Sequence, residues 1–215
     1  AMKLIFNKED NIYLWISLGL LLSIAFLSKY QAYLFGITLF FAFIIWRRNV
    51  LFTKNFYISL LISILGLLPV FLWNMENNFD SFNFHGNRNS FGFDLIHIIN
   101  SIFAQLFLLL PTTGFLIITS LMKNKKFFAV NEKFLILLSL PTIIIFNILI
   151  LFSDNSFSHW SMVGWMLLIP VASNRLILMK SFKHHLITLK VASAFVIFVM
   201  ISSISIHAKT GFITR

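Results

Sequence analysis

Apolar residues run through this chain in seven long blocks divided by short polar gaps: 12–27, 31–46, 56–73, 95–121, 134–152, 160–179 and 186–206. Within a block the apolar character goes all the way round a helical wheel, which marks a helix surrounded by lipid or by other helices. A hydrocarbon core of about 30 Å needs roughly 20 such residues at 1.5 Å each. The blocks therefore predict about seven transmembrane helices. The first two are short and meet at Ser28-Lys29-Tyr30, which predicts a helical hairpin. The longest informative interruption is 74–88, NMENNFDSFNFHGNR, where Glu76, Asp80, His85 and Arg88 alternate with Phe79, Phe82 and Phe84 directly after Trp73. Aromatic rings beside charged groups suit the headgroup level of a bilayer, where apolar and polar atoms are both needed.

Composition sharpens this picture. Of 215 residues 59% are hydrophobic and only 11% charged, with 27 phenylalanines, against roughly 25% charged residues in soluble domains. The fold class expected is all-α, a polytopic transmembrane helical bundle forming one domain over 1–215. The chain contains no cysteine, which excludes a disulfide framework, a thiolate metal site and a cysteine nucleophile. Residues 1–11 carry an acidic pair and no cleavage pattern, so they do not read as a secretory signal.

Charge adds an orientation. Assigning alternate gaps to opposite sides puts Lys3, Lys8, Arg47, Arg48, Lys54, Lys123, Lys125, Lys126, Lys133, Arg175, Lys180 and Lys183 on one side. The other side holds Lys29, Arg88, Lys209 and Arg215, and Lys190 falls inside the last block. By the positive-inside rule the first side is cytoplasmic. The N-terminus is then expected inside and the C-terminus outside. The cations lie between apolar spans rather than on a soluble module, so the net charge of +10 points to membrane lipids as partners and not to nucleic acid. Lys123–Lys126 and His184-His185 are placed to meet anionic headgroups.

Three stretches in order resemble bacterial members of glycosyltransferase family 39, the protein O-mannosyltransferase-like enzymes of the GT-C fold. They are LGLLLSIAFLSKYQAYLF (18–35), LLPVFLWNMENNFDSFNFHGNR (67–88) and SHWSMVGWMLLIP (158–170). The resemblance implies transfer of a sugar from a polyprenyl-phosphate-linked donor to a protein, lipid or glycan acceptor in the periplasm, with that lipid-linked sugar as donor substrate. It also implies that the membrane is the bacterial inner membrane and that the outside is the periplasm. In that family the catalytic acidic residues lie in the first external loop, before the Ser-Lys-Tyr turn, where this chain has only residues 1–11. The chain thus resembles the C-terminal part of such an enzyme. The catalytic base is unknown, and a missing N-terminal segment or a companion chain is the expected source of it.

Such a reaction needs a cation near the membrane surface for the leaving phosphate, an apolar groove for the isoprenoid tail and a carboxylate to deprotonate the acceptor. Lys29, beside Tyr30 at the hairpin tip, is the first candidate for the phosphate; its alternative is a lysine snorkelling to water. Arg88 is the second, since a planar fork suits phosphate oxygens; its alternative is a loop arginine loosely paired with Asp80 or Glu76. Trp73 and Asn74 either shape a sugar cleft or cap and anchor the third helix, below which Pro69 is placed to bend it. His159 and Trp160, after the capping types Ser156 and Ser158, either meet phosphate or sugar or form part of an interfacial belt. A divalent metal held by Glu76, Asp80, His85, Asp154 and His159 is a weak alternative, because the spacing matches no compact ligand motif. Ser101, Gln105, Thr112 and Thr113 read as hydrogen-bonding links between helices. Two rival readings stay open: a catalytically inactive fragment or partner subunit, and a transporter or lipid flippase. The latter ranks last because ionisable residues are rare within the spans.

Overall fold

The computed structural model describes residues 1–29, 31–80, 83, 95–122, 128–152, 158–179 and 181–210. They form helices joined by turns and short coil segments, with no strand among them. In chain order the helices are α1 (Met2–Ile5), α2 (Ile12–Ser28), α3 (Ala32–Arg47), α4 (Lys54–Leu65), α5 (Leu68–Glu76), α6 (Leu95–Leu108), α7 (Pro111–Leu121), α8 (Val130–Phe152), α9 (Met162–Ile177) and α10 (Phe182–Thr210). Short 3-10 turns, Arg48–Phe52 and Ser158–Ser161, precede α4 and α9. Local chemistry sets several of the starts. Asn11 accepts from the Tyr13 N–H at the head of α2, and Thr53 accepts from the Phe56 N–H at the head of α4. Each satisfies one of the donors a helix start leaves open.

Every apolar block is helical, but length divides them. Four stretches are long and apolar enough to cross a membrane: Ala32–Phe52, Lys54–Glu76, Val130–Ile150 and Phe182–Lys209. The protein is therefore an all-α chain with membrane-length helices, while α2 is a shorter apolar helix of 17 residues. The block 95–121, expected as one span, is two helices. Leu110 sits at φ 60°, a left-handed backbone unusual for a branched side chain, and Pro111 opens α7 without needing an N–H donor. The block 56–73 extends in both directions, and its break falls at Gly66-Leu67, with Pro69 in the first turn of α5.

Small residues decide the closest approaches. A Cβ on Gly19 would lie 2.7 Å from the Ser59 carbonyl oxygen, and one on Gly66 would lie 2.1 Å from Ser23 Oγ. Residue 19 thus faces 59 and residue 23 faces 66, so α2 and α4 run parallel. Ser63 Oγ donates to the Gly19 carbonyl across the same seam (3.4 Å). Trp46 near the end of α3 packs edge-on against Phe134 near the start of α8, so these two are antiparallel. A Cβ on Gly164 of α9 would meet Ile143 and the Ser139 carbonyl of α8, and Asn174 reaches back to Glu132, so α8 and α9 are also antiparallel.

Two apolar clusters fill the bundle. One gathers Trp15, Leu39, Ala42, Phe43, Phe134 and Leu138, capped below by Leu4 and Ile5 of α1. Trp15 and Phe43 stack at 5.4 Å within it. The other gathers Ile117, Phe128, Ile143, Leu168, Val171 and Ala172. The outward surfaces are strongly apolar; Leu21, Phe115, Phe195 and Phe198 are each about two-thirds exposed, the pattern of helices solvated by lipid rather than water.

Candidate functional site

The helix directions give the bundle two polar ends. At one lie the C-terminal ends of α2, α5 and α8 with the start of α3. At the other lie α1, the end of α3, the starts of α4 and α8, and the end of α9. Lys29, Trp73, Asn74, His159 and Trp160 fall at the first end. Arg47, Arg48, Lys54, Lys133 and Arg175 fall at the second. Tyr30 and Arg88, both candidates from the sequence, lie outside the described residues, as do His85 and Asp154 of the metal alternative. Among the described residues no three His, Asp or Glu side chains gather in a metal-binding group.

The hairpin tip is built from its neighbours. Lys29 closes α2 in an extended conformation, and its carbonyl accepts from the Ala32 N–H (3.0 Å) to turn the chain into α3. Below the turn Phe26 meets Tyr33 edge to face at 5.2 Å, and the Phe26 ring lies over Gly36, where a Cβ would come within 2.9 Å. Glycine allows the two arms to close, leaving the Lys29 side chain exposed at the apex. Next to it the amide oxygen of Gln31 is buried with no hydrogen-bond donor. An apolar cleft of about 450 Å³ runs between α2, α3 and α4, from Trp15 and Phe43 up to Phe26, Tyr33 and Leu67 beneath the hairpin tip.

Trp73 and Asn74 do not end their helix; α5 continues to Glu76, and Asn77 is the capping residue. Their roles separate. Trp73 is half exposed, whereas Asn74 is fully buried. The Asn74 amide nitrogen donates to the Val70 carbonyl (2.8 Å), and its amide oxygen has no donor. Just beyond, Asn78 (φ 49°) and Phe79 (φ 59°) both take left-handed backbone, and the Phe79 N–H donates to the Asn74 carbonyl (2.7 Å). A phenylalanine in that region carries strain of about 1 kcal/mol or more. Lys29, Trp73 and Asn74 make no hydrogen bond or ring contact with one another.

His159 and Trp160 lie in the 3-10 turn Ser158–Ser161, and α9 proper begins only at Met162. This corrects the expected start of the helix at Trp160. His159 is exposed, and Trp160 packs edge-on against Phe146 of α8 at 5.8 Å. The turn is pinned from below by a buried polar knot. Gln105 Oε1 accepts from Ser161 Oγ (2.8 Å), Trp165 Nε1 (3.1 Å) and Asn147 Nδ2 (3.4 Å), while Gln105 Nε2 donates to Asn147 Oδ1 (2.9 Å). Asn147 also donates to the Ile143 carbonyl (2.8 Å). Gln105 is thus an inter-helix link, as its sequence position suggested; Trp165, expected with Trp160 in an interfacial belt, instead donates into the knot, and Asn147 was not singled out in the sequence. The spacing of Asn147 within an apolar block was the available signal.

The second end has its own polar chemistry. Glu132, buried at the start of α8, accepts from the Ala129 N–H (2.8 Å) and from Asn174 Nδ2 (2.8 Å), with Arg175 Nη2 at 3.9 Å. Arg175 lies over the Phe128 ring, 4.7 Å from its centre. Asp10 accepts from Trp15 Nε1 (2.7 Å) and Asn55 Nδ2 (3.3 Å). The Trp15 hydrogen bond foremost, then that of Asn55, hold its carboxyl below the usual carboxylate range against the opposing effect of burial, with the charge of Arg47 a lesser help.

No protein-family model, no curated protein and no solved structure matches this chain.

Proposed function

We propose that the chain is the membrane portion of a polyprenyl-phosphate-dependent glycosyltransferase of the GT-C type, transferring a sugar to a periplasmic acceptor. The observation that carries the reading is an exposed lysine at the tip of the hairpin whose arms wall an apolar cleft, with the buried Gln31 amide oxygen near it lacking a donor. In this reading the isoprenoid tail lies in the cleft between α2, α3 and α4. The Lys29 ammonium faces the phosphate and stabilises the charge that grows as the sugar–oxygen bond breaks. Tyr30 and Arg88 stay candidates from the sequence alone, outside the described residues. Sugar hydroxyls are hydrogen-bond donors, and the Asn74 and Gln31 amide oxygens are acceptors in want of one. Trp73 supplies an apolar face for the sugar ring, and His159 with Trp160 border the site from the opposite helix pair. The strained backbone at Asn78 and Phe79 is of the kind that collects at binding sites. The general base that takes the acceptor proton is not assigned to a residue of this chain.

The test is binding of a short-chain polyprenyl-phosphate hexose to the purified protein in detergent, read by displacement of a fluorescent polyprenyl phosphate. Lys29→Ala is expected to weaken binding about tenfold, the worth of one charge-assisted contact, and Asn74→Leu to weaken the sugar-bearing donor but not the bare polyprenyl phosphate. Equal affinity of wild type and Lys29→Ala, or no binding at all, overturns the proposal.

A further inference from the structure

At the end of the bundle away from Lys29, the segment between α1 and α2 folds back as a hook under the end of α3. Arg47 holds it there. Its guanidinium donates to the carbonyl oxygens of Leu4, Lys8 (3.2 Å) and Glu9 (3.3 Å). Lys8 takes a left-handed φ of 54° within the hook, so its backbone is fixed by the arginine clamp and not by a loose tail. The hook, the end of α3 and the turn into α4 enclose a polar cleft of about 550 Å³ lined by Lys8, Asp10, Arg47, Arg48, Asn49 and Thr53.

The charges in this cleft do not cancel. Asp10 is its one acid, and its carboxylate is engaged by Trp15 and Asn55. Glu9, on the same hook, accepts from Asn7. No ion pair joins Lys8, Arg47 or Arg48 to a carboxylate among the described residues. Lys8 and Arg48 are exposed, and Arg47 spends its donors on carbonyls while its charge acts weakly on Asp10. Thr53 then opens α4 at the cleft wall, bringing the first amides of a 12-residue helix, of which that of Phe56 is already taken by the Thr53 side chain.

We propose that this cleft binds a phosphate group. The exposed Lys8 and Arg48 supply the donors, Arg48 with a planar fork, while the clamped Arg47 adds its charge and α4 its start, forming a concave anion site. One engaged carboxylate leaves the cleft with two positive charges to spare. The proposal is independent of the glycosyl-transfer reading, because the site lies at the other end of the bundle. The phosphate can belong to a lipid headgroup or to a soluble phosphate compound, and the experiment separates the two.

Thermal unfolding midpoints would be measured for the full chain in a neutral detergent with increasing inorganic phosphate, ionic strength being matched with chloride. They would also be measured in phosphatidylcholine nanodiscs with and without phosphatidylglycerol. The comparison set is wild type, Lys8→Gln/Arg48→Gln, the charge-retaining Lys8→Arg/Arg48→Lys, and Lys183→Gln/Lys190→Gln on α10 as a charge-matched control. The midpoint is expected to rise with inorganic phosphate if the ligand is soluble, or with phosphatidylglycerol alone if it is a headgroup. Removal of Lys8 and Arg48 should weaken the apparent affinity at least tenfold, while the charge-retaining pair and the α10 control respond like wild type. A wild-type midpoint indifferent to both ligands overturns the site. So does an equal loss in the α10 control, which would mean diffuse charge attraction, or an undiminished response without Lys8 and Arg48.

Discussion

Gln105→Leu is the substitution whose consequence the structure defines most closely. The leucine is close in size, so little cavity opens, and the effect reads the polar knot itself. Gln105 Oε1 is the acceptor for Ser161, Trp165 and Asn147, and its amide donates to Asn147. After substitution the Ser161 hydroxyl can rotate and Asn147 Nδ2 retains the Ile143 carbonyl. Trp165 Nε1 and Asn147 Oδ1 lose their partners. A stranded buried group costs about 1–3 kcal/mol, but hydrogen bonds between membrane helices average only about 0.6 kcal/mol. Taking about 1 kcal/mol for each group, Gln105→Leu should destabilise by about 2 kcal/mol. Asn147→Leu strands only the Gln105 amide and should cost about 1 kcal/mol. The double variant strands only Trp165 Nε1 and should cost about 1 kcal/mol rather than the sum of about 3 kcal/mol, since removing both partners of one link leaves nothing unpaired between them. Reversible unfolding in mixed micelles, followed by tryptophan fluorescence, measures all three. A Gln105→Leu protein within about 0.5 kcal/mol of wild type, or strictly additive effects, would refute the reasoning.

Three further outcomes are expected. Gly19→Ala and Gly164→Ala each push a methyl group to within 2.7 Å of a neighbouring helix, so each should lower stability by about 1–3 kcal/mol in the same unfolding assay; a neutral result would mean the seams are looser than described. Glu132→Leu leaves the Ala129 N–H, Asn174 and Arg175 without their shared acceptor and should cost about 3 kcal/mol, with Glu132→Gln costing less because it retains one oxygen. Asp10 has a depressed folded-state pKa, so its contribution is present above the ordinary carboxylate value of about 3.9 and fades as pH falls through the folded value. Stability against pH should therefore lose part of its acid limb in Asp10→Asn, and an unchanged acid limb would remove Asp10 from the account.

What could be read from the sequence is the helical class and the position of each apolar block, because both follow from hydropathy alone; of the seven spans expected, four membrane-length helices are found among the described residues. The parallel course of α2 and α4 and the antiparallel course of α8 against α3 and α9 place Lys29, Trp73-Asn74 and His159 at one end, as alternating gaps require. Helix length was less legible. Leu110 and Pro111 divide 95–121, and a break of two residues hardly changes average hydropathy; α2 remains shorter than a span despite its unbroken apolar run. Asn74 was read as a cap since a polar residue ends the apolar run there, yet the helix continues for two residues and buries the side chain completely. The Gln105 knot and the Arg47 clamp are tertiary contacts between residues about 40 to 60 positions apart, beyond the reach of any periodicity.

The division of the bundle into two polar ends underlies both the proposed donor site and the phosphate cleft. Since the chain contains no cysteine, single cysteines can be introduced without background. Lys29→Cys, Asn77→Cys and His159→Cys, compared with Arg48→Cys, Lys133→Cys and Lys183→Cys, would be exposed to a membrane-impermeant maleimide in intact bacterial cells and again after permeabilisation. The account predicts that the first three react in intact cells and the last three only after the membrane is opened. Labelling of Lys29→Cys and Arg48→Cys from the same side, or of His159→Cys together with Arg48→Cys, would contradict it.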